Sequence, residues 1–180
     1  IDREHMDHYD DEEAIEAAFV EFANKVPFYG AVVVCLDDAR VQELLPRFKR
    51  RALTYGLSGQ ADISARHLVQ ANGRTHFEVL VSGDPVGEVD LSLPGEHNVL
   101  NALAAFGVCL ELGAAPEVIV KALSGFGGVD RRSQVKGEAA GVLVVDDYGH
   151  HPTEIEATLA AVREGFGART LVVFQPHRYS

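Results

Sequence analysis

The side chains best suited to chemistry lie together at the end of the stretch Val142–Pro152, where Val-Leu-Val-Val runs into Asp146, Asp147, Tyr148, Gly149, His150, His151 and Pro152. Carboxylates and imidazoles this close can move protons, hold a divalent metal, or accept hydrogen bonds from hydroxyl groups. Further candidates are scattered along the chain. His5, Asp7, His8 and Asp10 crowd the first ten residues, either as a solvated loop or as ligands for a divalent cation. Asn98 and Asn101 are three residues apart, so both can project from one side of a helical turn. Their amides carry the donors and acceptors that suit a purine edge, although Asn98 could equally cap the helix. The pair Arg131-Arg132 follows a glycine-rich stretch and reads as solvated surface or as a clamp for phosphate oxygens. Gln175-Pro176-His177-Arg178 ends another apolar run.

These groups need elements to hold them. Val142–Val145 reads as a strand buried on both faces, as in a parallel sheet. Behind Pro152 a helix is expected with Ile155, Leu159, Val162 and Phe166 on one face, opened by Thr153 and Glu156 as a capping box. The polar cluster therefore falls where a strand ends and a helix begins, the place where ligands collect in open α/β sheets. Upstream, a helix over 12–25 places Ile15, Phe19, Phe22 and Val26 inward. Strands at 31–36 and 52–55, joined by a helix carrying Val41, Leu44, Leu45 and Phe48, complete a β-α-β unit. Segments at 63–69, 75–81 and 87–93, separated by Asn72-Gly73 and Ser82-Gly83-Asp84-Pro85, read as antiparallel hairpins on the sheet edge. Pro94-Gly95 turns into a helix that stops at Gly113, and a second helix starts at Pro116. Gly125–Gln134 reads as a linker between two domains. Arg169–Phe174 is expected as a strand parallel to and beside Val142–Asp146.

Composition narrows the function classes. The chain has 180 residues, 47% hydrophobic, with a net charge of -11, which argues against a nucleic-acid-binding module. Cys35 and Cys109 both sit in apolar stretches and read as buried free thiols of a cytoplasmic protein. There is no signal peptide and no apolar run long enough for a membrane span. The opening Ile1-Asp2-Arg3 lacks a Met and the chain closes just past an apolar run, so it reads as a piece of a longer protein.

With these segments in place the chain closely resembles the Mur ligases. The resemblance rests on Asp2-Arg3-Glu4-His5-Met6-Asp7, Pro94-Gly95-Glu96-His97-Asn98-Val99-Leu100-Asn101-Ala102-Leu103, Gly128-Val129-Asp130-Arg131-Arg132, Asp146–Pro152 and Phe174-Gln175-Pro176-His177-Arg178-Tyr179. These blocks cover the chain end to end in the family's order, and the last two point to its alanine-adding branch. The fold implied is α/β: residues 1–131 as the latter part of a central ATP-binding domain, mostly parallel with antiparallel additions, and 132–180 as the start of a Rossmann-like C-terminal domain.

The activity implied is ATP-dependent ligation of L-alanine to UDP-N-acetylmuramate through an acyl phosphate, in peptidoglycan precursor synthesis, with Mg2+. By resemblance His5 matches a magnesium-associated histidine, and Asn98 and Asn101 match adenine contacts. Arg132 matches an arginine that reaches the ATP phosphates, and Asp147 a carboxylate that takes the ribose hydroxyls. Tyr148, His177 and Arg178 resemble residues around the incoming alanine, with His150 orienting that pocket. Ser133 departs from the family, which usually has a bulky aromatic after the paired arginines. The family's phosphate-binding loop, Gly-x-x-x-x-Gly-Lys-[Ser/Thr], does not occur in these 180 residues, so the chain alone is expected to be inactive. Two other readings stand beside this one: a sibling ligase adding another amino acid, and a metal-dependent hydrolase built on Asp146, Asp147, His150 and His151.

Overall fold

A computed structural model describes residues 9–176. It opens with helix α1 (Glu12–Asn24), whose first free amides are met by the Asp11 carboxylate accepting from Ala14 N–H. Ile15 and Ala23 are buried, whereas Phe19 and Phe22 are 47% and 74% exposed. The expected inward stripe is therefore only half right, because the helix rests on its Ile15 side.

A five-stranded sheet follows, in the order β1-β2-β3-β4-β5. Strand β1 (Ala31–Cys35) and β2 (Arg51–Gly56) run parallel, linked through α2 (Ala39–Leu44) and a short 3-10 turn. β3 (Ile63–Ala71) pairs in parallel with β2, and β4 (Arg74–Val81) and β5 (Asp84–Leu91) extend the edge as antiparallel hairpins. That is the mixed sheet expected from the alternating segments and their turns. Helix α3 (Glu96–Glu111) lies over β1, β2 and β3, and α4 (Pro116–Ser124) covers β5. Between sheet and helices sits the core: Ile63, Phe77, Val79, Val89, Leu91, Val99, Leu103, Phe106 and Ile119. Full burial of side chains of this size contributes about 1.5–3 kcal/mol each, and α3 supplies several of them. Its position is set by the same residues that make it amphipathic.

The remainder differs from expectation. Residues 134–139, to which the sequence reading assigns no element beyond the linker's end at Gln134, form β6 (Gln134–Ala139), which pairs antiparallel with β7 (Val142–Asp146). β7 is not buried on both faces: Val142 is 59% and Val144 52% exposed. Residues 170–174 form no strand and do not pair with β7; Val173 is fully exposed. An apolar run specifies a strand only when a neighbouring edge accepts its backbone hydrogen bonds. Here the tight turn at Ala140-Gly141 brings β6 to that edge at minimal loop length. Helix α5 (Pro152–Phe166) follows as expected, with Ile155, Leu159, Val162 and Phe166 partly buried. Among the described residues no helix is long and apolar enough to cross a membrane.

Candidate functional site

A cleft of about 900 Å³ lies between α3, α4, the irregular segment 125–133 and the first half of α5. Much of its lining is apolar, with Ala102, Ala105, Ile119 and Phe126 among the lining residues. Its polar lining includes His97, Asn98, Asn101, Arg132, Asp147 and Glu154. Four candidate residues that lie far apart along the chain, Asn98, Asn101, Arg132 and Asp147, thus face one space.

Each is held by local structure. Asn98 and Asn101 stand on the first turn and a half of α3. The helix is capped at Gly95, not at Asn98; the Asn98 Nδ2 instead donates to the Pro94 carbonyl at 2.7 Å. That bond orients the amide and leaves its Oδ1 and second proton for a ligand.

Asp147 ties the end of β7 to the irregular segment 125–133. Its Oδ2 accepts from Ser133 N–H and its Oδ1 from Gly149 N–H, both at 2.7 Å. A Cβ at Gly149 would lie 2.9 Å from Asp147 Oδ1, so only glycine permits that approach. Tyr148 N–H donates to the Arg131 carbonyl at 2.8 Å, tying the strand end to the arginine pair. Arg131 and Ser133 adopt left-handed backbone, with φ of 61° and 47°, a conformation non-glycine residues enter only when their surroundings hold them there. Ser133 is buried all the same. Hydrogen bonds to Asp147 and from Tyr148 hold this segment in place.

The two arginines diverge. Arg131 lies over the Tyr148 ring, 4.6 Å from its centroid, and 3.9 Å from Asp146. Arg132 alone lines the cleft, with its guanidinium 3.4 Å from Glu154. Burial pushes the Glu154 carboxyl up, but the His150 and His151 amides and the Arg132 guanidinium outweigh it and hold it below the usual carboxylate range. Burial lowers His97 below the ordinary imidazole value; the nearby Asp147 charge opposes this shift and Arg132 adds to it. The shift favours the neutral imidazole.

The entrance to α5 corrects one expectation. Its cap is His151, not Thr153: His151 Nδ1 accepts from Thr153 N–H at 3.3 Å, and the Glu154 carboxylate reaches back to the His151 amide. The capping box is shifted two residues because an unprotonated imidazole nitrogen can serve as the acceptor usually supplied by Ser, Thr, Asp or Asn.

That use of His151 also undoes the metal-site alternative. His151 caps the helix, Asp146 faces Arg131 and Lys136, and His150 faces Glu154 at 3.6 Å, so these three do not converge with Asp147. Among the described residues no group of three or more His, Cys, Asp or Glu could hold a metal ion. Tyr148 and His150 are in ring contact with each other, 5.6 Å between centroids, and neither lines the cleft. His5, His177 and Arg178 lie outside the described residues. Sequence reading missed Glu154, whose place three residues after the cap appears only once His151 is seen to cap the helix. It also missed His97, which sits inside the Pro94–Asn101 block and was left without a role.

Comparison with known proteins gives the family. A family model described as Mur ligase middle domain matches residues 1–109, and one described as Mur ligase, glutamate ligase domain matches residues 131–179. A UDP-N-acetylmuramate–L-alanine ligase of Desulfosudis oleivorans is 55% identical over the whole chain, which spans 40% of that relative's length. The ligase of the same name from Solibacter usitatus is 54% identical, with 38% of its length spanned. Among solved structures, the UDP-N-acetylmuramate-alanine ligase MurC of Thermotoga maritima aligns over 92% of this chain and 37% of its own, at 26% identity and a TM-score of 0.75. MurF of Acinetobacter baumannii aligns over 89% of this chain and 35% of its own, at 25% identity and a TM-score of 0.79.

Proposed function

The chain belongs to the Mur ligase family, and we propose that it contributes the nucleotide-holding cleft of an ATP-dependent ligase joining L-alanine to UDP-N-acetylmuramate. The observation that carries this reading is the single cleft lined by Asn98, Asn101, Arg132 and Asp147. Its donor set fits a nucleotide. An apolar lining beside two carboxamides suits a purine, which offers an apolar face and a polar edge. Arg132 supplies a planar cation for phosphate oxygens. Both Asp147 oxygens already accept an amide, yet each has a further lone pair for a ribose hydroxyl.

When bound, ATP with Mg2+ supplies the phosphoryl group that activates the muramoyl carboxylate as an acyl phosphate for attack by the alanine amine. The chain's own residues hold and shield. Asn98 and Asn101 fix the base, and Asp147 fixes the sugar beside the segment 125–133. Arg132, released from or shared with Glu154, steadies the phosphates. The first half of α5 forms a wall that limits water, against which an acyl phosphate must be protected. We assign His5 to the Mg2+ side, and Tyr148, His150, His177 and Arg178 to the surroundings of the amino acid. Residues 1–131 then complete an ATP-binding domain and 132–180 begin a Rossmann-like one, a division supported by the irregular glycine-rich segment between the two sheets. The reaction's substrates are soluble small molecules, in keeping with a cytoplasmic enzyme.

The test is Asn101→Ala in the full-length ligase. Loss of one base contact weakens binding by about 1 kcal/mol, a fivefold rise in the Km for ATP, with the Km for UDP-N-acetylmuramate unchanged. An unchanged Km for ATP would remove the cleft from the nucleotide site.

A further inference from the structure

Gln70, near the end of β3, stands outside the cleft and yet touches the elements that form two of its walls. Its Oε1 accepts from Gly95 N–H at 2.8 Å, and its Nε2 donates to Glu164 of α5 at 2.9 Å. Gly95 is the N-cap of α3 and has no side chain with which to fix the helix entry; Gln70 makes that connection from another element. Glu164 belongs to the second half of α5, whose first half lines the cleft through Glu154, Ala157 and Thr158.

The same helix face docks further along. Ala161 and Gly165, one and two turns beyond Ala157, are both buried. A Cβ on Gly95 would come within 2.6 Å of Ala161 Cβ, and one on Gly165 within 2.8 Å of Pro94 Cβ. The hairpin tip joins in. Asn72 and Gly73 both have positive φ, 51° and 71°, as a two-residue turn requires. Gly73 N–H donates to the Gly165 carbonyl at 3.1 Å, and a Cβ on Gly73 would meet the Phe166 ring at 2.8 Å. Lack of a side chain at Gly73 therefore serves the turn and the docking of α5 together.

We propose that Gln70 is a positioning residue for the nucleotide cleft: by bridging Gly95 and Glu164 it sets the separation of α3, which carries Asn98 and Asn101, from α5. The inference rests on the nucleotide reading above only for what the cleft holds. A residue that fixes both walls at once contributes to ligand affinity by removing the need to order them on binding.

A paired exchange in the full-length ligase tests it. In Gln70→Glu the Oε1 acceptor for Gly95 remains, but a carboxylate now faces Glu164. This variant should raise the Km for ATP about five- to tenfold with kcat little changed, and speed hydrogen exchange at the Gly73 amide. Glu164→Gln alone should behave as wild type, since its amide oxygen still accepts from Gln70. Combining the two restores a donor opposite an acceptor, and should return both the Km and the exchange rate to wild type. A variant with merely reduced stability would lower Tm without the selective Km change and without rescue. Unchanged Gly73 exchange in Gln70→Glu, or failure of rescue, would overturn the proposal, as would faster exchange with an unaltered Km for ATP. If the wild-type protein bound no ATP, the nucleotide reading would fail, while the exchange data alone would still decide whether Gln70 docks α5.

Discussion

Asp147 shows why a site residue can be recognised before its work is understood. Its place after an apolar run suggested a ligand contact, and the structure adds a second duty, holding Ser133 and Gly149 by their amides. Asp147→Asn keeps the size but presents an NH2 group to one of those N–H donors. Loss of a charge-assisted bond costs about 1.5–3 kcal/mol, equivalent to about 10- to 150-fold in affinity. In the full-length enzyme the variant should therefore raise the Km for ATP and lower Tm together, as read by steady-state kinetics and thermal melts. A lower Tm with the Km for ATP intact would make Asp147 an anchor of the segment 125–133 alone.

Helix α5 receives polar contacts at both ends, from Arg132, His150 and His151 at its start and from Gln70 near its end, and its start is pH-sensitive. Glu154 accepts from the His150 and His151 amides and faces Arg132, and its folded-state pKa lies below the ordinary value of 4.5. For a carboxyl lowered in this way, the unfolded chain takes up its proton first as pH falls. The stabilisation is complete above 4.5 and is lost as the pH drops through the folded-state value. Hydrogen exchange across α5 should accelerate in that acid window, and Glu154→Gln should flatten the response. An identical acid profile in the variant would show that α5 does not depend on this carboxylate.

At the scale of the molecule, the five-stranded sheet has its own core, while the β6-β7 ribbon exposes Val135, Val142 and Val144. The cleft lies where α3 and α4, which cover the sheet, meet the irregular segment 125–133 and α5. Within the 180 residues there is no phosphate-binding loop of the Gly-x-x-x-x-Gly-Lys-[Ser/Thr] type. The chain on its own should show no ATP-dependent ligation of L-alanine. Phosphate release that depends on UDP-N-acetylmuramate and L-alanine, measured on this chain, would show that the phosphoryl chemistry resides within it.

How much of this was legible follows from the range of each force. Elements governed by neighbours a few residues away were readable: the parallel β-α-β unit, the hairpins around Asn72-Gly73 and Ser82-Gly83, and α3 bounded by Pro94 and Gly113. The polar clusters that carry the family resemblance were readable too, because residue type and spacing persist in the chain whatever surrounds them. Strand pairing was not, since a run such as Val142–Val145 is equally apolar beside β6 or beside 170–174, and only the available edge decides. Exposure of Phe22 likewise depends on which side α1 rests, and the cap at His151 on where an imidazole nitrogen points. The chain by itself determined which side chains could meet a nucleotide. Tertiary structure alone decided that Asn98, Asn101, Arg132 and Asp147 share one cleft, because contacts between residues so far apart in sequence are made by packing, and packing has no local signature.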